Sequence, residues 1–111
     1  MHGVHVERES SVAVVRATGE LDAYAAPDLA ATLEALSGEP RVLADLGAVS
    51  FLDSTALGVL VRGVRTLDAD GSLVRIVLPT GSARRIFELT TLDRALPVSA
   101  TRPDALAELD V

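Results

Sequence analysis

The chain has 111 residues, enough for one compact domain with a real core and too few for two, so we expect a single domain over residues 1–111. Its 10 basic residues are all arginine, and the 16 acidic residues bring the formal net charge to −6, which disfavours nucleic acid as a direct partner. The absence of cysteine excludes disulfides and thiol switches, and the absence of lysine excludes a P-loop lysine and Schiff-base chemistry.

Neither a membrane segment nor a secretion signal is predicted. The longest apolar runs fall well short of the about 20 residues that cross a bilayer, and the first residues lack the apolar stretch of a secretion signal. We therefore expect a cytoplasmic protein that does not contact the membrane.

The N-terminal part is predicted to contain two strands, a helix and a third strand. Extended runs over residues 4–9 and 11–19 are expected to pair as a hairpin. Pro27 suits the first turn of a helix over residues 28–36. A short apolar run over residues 41–46 is typical of a strand buried on both faces, which favours a central parallel strand.

The rest of the chain alternates helices with strands. The predicted elements are a loop at 47–53, a helix at 54–69, a strand at 73–78, a helix at 83–89, a short strand at Val98 and a terminal helix at 102–109. Within the helix at 83–89, Ile86 and Leu89 are expected to face inward. This order predicts an α/β domain with a mixed, mostly parallel sheet of four to five strands, an N-terminal hairpin and covering helices.

The most specific segment is residues 45–60, with the sequence DLGAVSFLDSTALGVL. It resembles the signature of STAS-domain anti-sigma factor antagonists, in which a strand ends in Asp or Asn before Leu and Asp-Ser-Ser/Thr-Gly/Ala-Leu-Gly opens a helix. Further matches are GELD at 19–22 and RIFELT at 85–90. Two positions depart from the family pattern, since Ala56 replaces the commoner Gly and Thr91 stands where many members have Gly.

The resemblance implies a bacterial partner-switching cycle. The unphosphorylated protein would bind an anti-sigma factor that is also a GHKL-type serine kinase, and so free a sigma factor. Phosphorylation of Ser54 by that kinase would release it, and a serine phosphatase would reset the cycle. Nucleotide, metal and catalytic base would all belong to the kinase, so this chain is expected to be a substrate rather than an enzyme and to hold no cofactor.

Ser54 has two physical interpretations. A serine at a helix start can be an N-cap that accepts a backbone N–H. The same position also presents its hydroxyl at the positive end of the helix, where an added phosphate would be stabilised and the fold preserved. The phosphate would add about 1.5 to 2 negative charges beside Asp53, against which a partner that buries the free hydroxyl could no longer pack.

Six residues around Ser54 are predicted to form the partner-binding surface. At about 100° per residue, Gly58, Val61 and Arg65 share its helix face. The full set is Asp22, Asp53, Thr55, Gly58, Val61 and Arg65. Asp22 could equally be a turn residue, and an acid at Asp53 favours the helix dipole without any further role.

Other polar and aromatic residues receive structural interpretations. Phe51 and Leu52 are expected to be core anchors rather than partner contacts. Arg84 and Arg85 are expected to be a solvated pair on an exposed helix face rather than a phosphate site.

Two other functions compete with this interpretation. A serine hydrolase lacks support, because there is no Gly-x-Ser-x-Gly elbow and the only histidines, His2 and His5, lie at an N-terminal edge where fraying is expected. Those histidines also lack a third ligand for a metal. The remaining alternative is a STAS scaffold or transport-complex subunit that docks without a phosphorylation cycle, and the sequence separates it poorly from the switch.

Overall fold

The computed structural model describes residues 1–78, 81–90 and 92–109. Its elements are β1 (His2–Glu9), β2 (Val12–Leu21), α1 (Ala26–Ala35), β3 (Arg41–Leu52), α2 (Ser54–Ala69), β4 (Leu73–Val77), α3 (Ser82–Leu89), α4 (Leu92–Ala95), β5 (Val98–Ser99) and α5 (Arg102–Leu109). They form one five-stranded sheet in chain order, in which β1 pairs antiparallel with β2 and every other neighbouring pair is parallel. The predicted α/β fold with its N-terminal hairpin is confirmed. None of the helices in these residues has the length and apolarity that a bilayer span needs.

The two faces of the sheet are covered unequally. Alternate residues of a strand point to opposite faces, so Val42 and Ala44 of β3 join one core while Leu43 joins the other. The larger core lies under α1, α2 and α3 and includes the fully buried Leu60 and Phe87. The smaller core packs against α5 and consists of Val12, Val14, Leu43, Val77, Ala105 and Leu109.

Strand β3 is longer than predicted. The expected loop at 47–53 is wrong, because the backbone stays paired with β2 as far as Leu52. The register shifts twice, between the Arg16–Asp45 and Thr18–Ala48 pairs and again after Gly19. Each shift behaves as a β-bulge, which places an extra residue in one strand and interrupts the alternation of apolar side chains. Because that alternation is the sequence signal for a strand, the segment resembled a loop.

Helix α3 presents a different face to the sheet than predicted. Ala83 and Phe87, which lie one helical turn apart, are buried against the core. Leu89 is 75% exposed, so the expectation that it faces inward is wrong. Ile86 is partly buried against the larger core, as expected. The anchor of this helix is therefore its aromatic residue.

The arginine pair at the start of α3 divides into two environments. Arg84 is partly buried, and its Nη1 donates to the carbonyl oxygen of Leu78 at 2.6 Å. Arg85 is exposed, as the sequence indicated for both. The prediction of a solvated pair thus holds for Arg85 alone, because Arg84 ties the helix to the end of β4.

Arg102, the first residue of α5, fastens this helix to the sheet. Its Nη1 lies 3.0 Å from Glu7 Oε1 and 3.3 Å from Asp45 Oδ2, and its Nη2 lies 2.8 Å from Glu9 Oε1. Burial opposes the charge, but the hydrogen bonds to Glu7 and Glu9 prevail and raise the pKa of the guanidinium above its ordinary value. These four residues are called the Arg102 cluster.

Candidate functional site

Asp53 forms the N-cap of α2. Its backbone is extended, with φ −93° and ψ 175°, and its Oδ1 accepts from the Ala56 N–H at 2.9 Å. Its carbonyl oxygen accepts the Leu57 N–H at 2.9 Å. Ser54 is therefore the first residue inside the helix, and the interpretation of Ser54 as the cap is wrong. Aspartate and serine both cap helices well, so the sequence Asp-Ser did not distinguish the two positions.

The second carboxylate oxygen of Asp53 holds the loop between β2 and α1. The Oδ2 of Asp53 accepts from the Ala23 N–H at 2.9 Å, and the backbone N–H of Asp53 donates to the Leu21 carbonyl at 3.0 Å. One side chain thus joins the helix start to a loop 30 residues earlier in the chain. The position of Ser54 relative to that loop depends on Asp53.

Asp22 builds the same loop from within. Its Oδ1 accepts from the N–H groups of Tyr24 and Ala25, both at 3.0 Å, which is the hydrogen bonding of an Asx turn. Both acids near Ser54 are therefore bonded to backbone N–H groups. The interpretation of Asp22 as a turn residue describes its contacts, and its role toward a partner stays a prediction.

Ser54 and Thr55 both lie on the surface. Their side chains are exposed, whereas Ala56 and Leu57, the next two residues, are buried in the larger core. Among the residues that the structure describes, neither hydroxyl has a hydrogen-bond partner. Their backbone N–H groups belong to the first turn of α2, where donors have no carbonyl within the helix. A group attached to Ser54 would stand beside these donors without displacing an existing bond.

The face of α2 that continues from Ser54 begins with Gly58 and Val61, which are half-buried, and ends with the exposed Arg65. At 1.5 Å per residue, Gly58 lies about 6 Å along the axis from Ser54, and Arg65 about 16 Å. Arg65 shares the direction of Ser54 but does not lie beside it.

Arg62 is the cation that the sequence analysis missed. A Cβ added at Gly58 would lie 3.2 Å from Arg62 Nη1, so the guanidinium rests on the bare backbone one turn after Ser54. The signal in the sequence is a glycine four residues before an arginine in a helix, because helical side chains lean back toward the N-terminus.

Two exposed aromatic residues flank the site. Phe51 is 48% exposed, so the prediction of a core anchor is wrong, although Leu52 beside it is buried as expected. Phe51 follows the second register shift, which turns it away from the larger core. Tyr24 is 85% exposed and stands next to Ala23, which bonds to Asp53. A lone aromatic residue between alanines, in the short connection from a strand to a helix, is the signal that could have indicated Tyr24.

The predicted fraying near the N-terminus does not apply to His2. Its Nε2 lies 2.8 Å from Asp28 Oδ2, and its ring meets Tyr24 edge-on at a centroid distance of 6.2 Å. His2 therefore connects β1 with α1 and the loop that precedes it. His5 lies further along β1 and is exposed. Across the residues that the structure describes, no cluster of three potential metal-ligating side chains occurs.

Comparison with known proteins shows similarity over nearly the whole chain. Residues 4–105 match the STAS domain family. The anti-sigma-B factor antagonist of Staphylococcus aureus is 31% identical over 87 residues, which cover 77% of this chain and 81% of that protein. A crystal structure of an anti-sigma factor antagonist from Mycobacterium paratuberculosis has a TM-score of 0.92 and 31% identity, and the match covers 100% of this chain and 96% of that one.

The fold is shared with more distant proteins too. Bacillus SpoIIAA in its phosphorylated form has a TM-score of 0.73 at 22% identity, with 96% of this chain and 98% of that chain covered. Thr91, one of the two departures from the family pattern, lies outside the described residues, and Ala56, the other, is buried at the start of α2. With the family match extending from β1 into α5, the chain belongs to the STAS domain family.

Proposed function

We propose that this protein is an anti-sigma factor antagonist that is switched off by phosphorylation of Ser54. The observation that carries the proposal is the placement of an exposed hydroxyl, without a hydrogen-bond partner among the described residues, at the first position of α2, beside a cap that Asp53 already supplies. The relatives named as anti-sigma factor antagonists support the regulatory role. The chain acts as a binding protein and kinase substrate, and holds no catalytic residue of its own.

The geometry explains how phosphate could change binding without changing the fold. Within residues 1–78, 81–90 and 92–109 the Ser54 side chain makes no hydrogen bond that a phosphate would break, and the first-turn N–H groups of α2 favour a nearby negative charge. The added charge instead appears on an exposed surface of a protein whose net charge is already −6. A partner fitted to the free hydroxyl would meet new volume and new charge.

The cognate partner in this proposal is an anti-sigma factor of the GHKL serine kinase type. The unphosphorylated protein binds it and frees a sigma factor, and Ser54 is then phosphorylated with nucleotide held by the kinase. A serine phosphatase removes the phosphate. Bacillus SpoIIAA, an anti-sigma factor antagonist of the same fold, has been solved in phosphorylated and unphosphorylated forms, which supports a cycle of this kind.

The alternative function is a STAS scaffold or transport-complex subunit that binds without a phosphorylation cycle. The predicted surface residues Asp22, Asp53 and Thr55 would serve docking in either case. The position of Ser54 favours the switch, because its exposed hydroxyl lies in the first turn of α2, at the helix end where an added phosphate is stabilised.

A kinase assay tests the proposal. The wild type and the Ser54→Ala and Thr55→Ala variants are incubated with each purified GHKL-type anti-sigma factor of the source organism and ATP, and phosphate is localised by mass spectrometry. We expect one phosphate on Ser54 in the wild type and in Thr55→Ala, and none in Ser54→Ala. Phosphorylation of Ser54→Ala at the wild-type rate would contradict the proposed acceptor, and binding without any phosphorylation would favour the scaffold.

A further inference from the structure

The charged residues nearest Ser54 differ in what they already bind. Asp22 and Asp53 direct their carboxylates to backbone N–H groups of the loop before α1 and of the first turn of α2. The exposed Arg62 rests its guanidinium on Gly58, and within residues 1–78, 81–90 and 92–109 no carboxylate pairs with it. The uncommitted charge beside the hydroxyl is thus positive, although the protein as a whole is acidic.

Gly58 determines where this cation lies. The distances from a Cβ at position 58 would be 3.2 Å to Arg62 Nη1 and 3.9 Å to Nη2, so a methyl group there would move the guanidinium by a few tenths of an ångström, and a larger side chain would occupy its place. With only hydrogen at this position, the arginine lies along the helix and reaches back one full turn toward Ser54. Gly58 acts here as a seat for Arg62, and its backbone does not need a positive φ angle.

We propose that Arg62, seated on Gly58, binds a carboxylate of the anti-sigma factor and is a specificity-determining residue of the interface. This inference rests on the proposed function and deepens it. The planar guanidinium fork matches a carboxylate in a bidentate contact, and charge-assisted hydrogen bonds are among the stronger polar contacts at interfaces. A partner that docks on the Ser54 hydroxyl meets this cation about 6 Å further along the helix axis.

The test compares Arg62 with an arginine outside the predicted partner-binding surface. Arg62→Gln and Arg85→Gln each remove one positive charge from an exposed position, but only Arg62 rests on Gly58, one turn after Ser54. Binding of each unphosphorylated variant to the anti-sigma factor kinase that phosphorylates the wild type is measured by calorimetry with ADP present. We expect Arg62→Gln to weaken binding about tenfold or more and Arg85→Gln to change it less than about twofold. Thermal melts of each free variant verify that the fold is unchanged.

A double-mutant cycle tests the role of Gly58. Gly58→Leu keeps the charge of Arg62 but fills the surface on which its guanidinium rests, so it should weaken binding several-fold in the wild type and add little in the Arg62→Gln background. Additive losses would mean that Gly58 acts independently of Arg62, and would overturn the proposal that Gly58 positions the guanidinium of Arg62.

Two further outcomes separate this inference from the proposed function. If the kinase phosphorylates Ser54 but binds the wild type and Arg62→Gln equally, the switch stands and the role of Arg62 is overturned. If Arg62→Gln leaves kinase binding unchanged and shifts only the second pKa of the phosphate on Ser54, measured by phosphorus NMR, then Arg62 contacts that phosphate. This result would also overturn the inference. A protein that binds no anti-sigma factor overturns both.

Discussion

Two acids of the same 16-residue segment, Asp45 and Asp53, stabilise the molecule in different ways. Asp45 bonds through one oxygen to the Gly47 N–H at 2.8 Å and through the other to Arg102, within a cluster of four charged side chains. The Asp53 carboxylate, within the part of the chain that the structure describes, accepts from two backbone N–H groups, those of Ala23 and Ala56. In the Arg102 cluster the cation is paired with carboxylates of the sheet. Near Ser54, by contrast, the carboxylate of Asp53 bonds to backbone N–H groups.

Stability and partner binding are therefore expected to depend on different residues of this segment. The side chains of the Arg102 cluster hold α5 to the sheet by ion pairs, so changing them should affect the stability of the fold. Near Ser54 the loop and the helix start are held by Asp53 and Asp22, whereas Ser54, Thr55 and Arg62 are exposed and form no side-chain hydrogen bond or ion pair within the described residues. Their substitution should affect a partner more than the fold.

The largest loss of stability is expected at the cluster. Arg102→Ala removes the cation from Asp45, which is mostly buried, and from Glu7 and Glu9, so unfolding by urea should become easier by about 1–3 kcal/mol. Arg8→Ala is the matched control, because Arg8 also pairs with a carboxylate, that of Glu39, but is more exposed and should therefore contribute clearly less to stability than Arg102. Equal losses in the two variants would contradict a structural role for the cluster.

Removal of the α2 cap should have a smaller effect. Asp53→Ala loses the bonds to Ala56 and Ala23, and we expect about 1–2 kcal/mol of destabilisation in urea unfolding. Faster hydrogen exchange of the Ala23 amide should accompany it, since the loop is no longer held. If the Ala23 amide exchanges at the wild-type rate, Asp53 does not fix the loop.

The smallest effect on stability is expected one residue later. Ser54→Ala should change the free energy of unfolding by less than about 0.5 kcal/mol, because the cap is Asp53 and the Ser54 hydroxyl has no partner within the described residues. Parallel urea titrations of this variant and Asp53→Ala compare the two positions directly. A loss of about 1 kcal/mol or more in Ser54→Ala would restore serine as the capping residue.

Regular periodicity explains which parts of the fold could be predicted. The apolar residues of α2 recur at helical spacing, and both its predicted ends agree with the observed Ser54–Ala69. The second half of β3 could not be predicted in this way, since two register shifts interrupt its alternation. The prediction that Leu89 faces inward was wrong for a related reason. Helix α3 has only two turns and three large apolar residues, Ile86, Phe87 and Leu89, so the sequence does not determine which face of the helix is buried.

The candidate site likewise has features that the local sequence could predict and others that it could not. Local order placed Asp53, Ser54 and Thr55 together, and the motif indicated their importance. The bond from Ala23 to Asp53 joins residues 30 positions apart and follows from the parallel pairing of β2 with β3, which no local pattern encodes. The contact of Arg62 with Gly58 depends on which side chain occupies the free surface of a glycine, and helical spacing alone favoured Arg65.

The central claim is that a negative charge at Ser54 acts on the interface and leaves the fold intact. Ser54→Asp places a carboxylate at the positive end of α2, and Ser54→Asn provides a neutral control of similar size. Both variants are expected to melt within a few degrees of the wild type. Calorimetry against the cognate anti-sigma factor should then show binding weakened at least about tenfold, or about 1.4 kcal/mol, for Ser54→Asp and much less for Ser54→Asn. Unchanged affinity of Ser54→Asp, or a collapsed melting temperature that accounts for lost affinity, would contradict the claim.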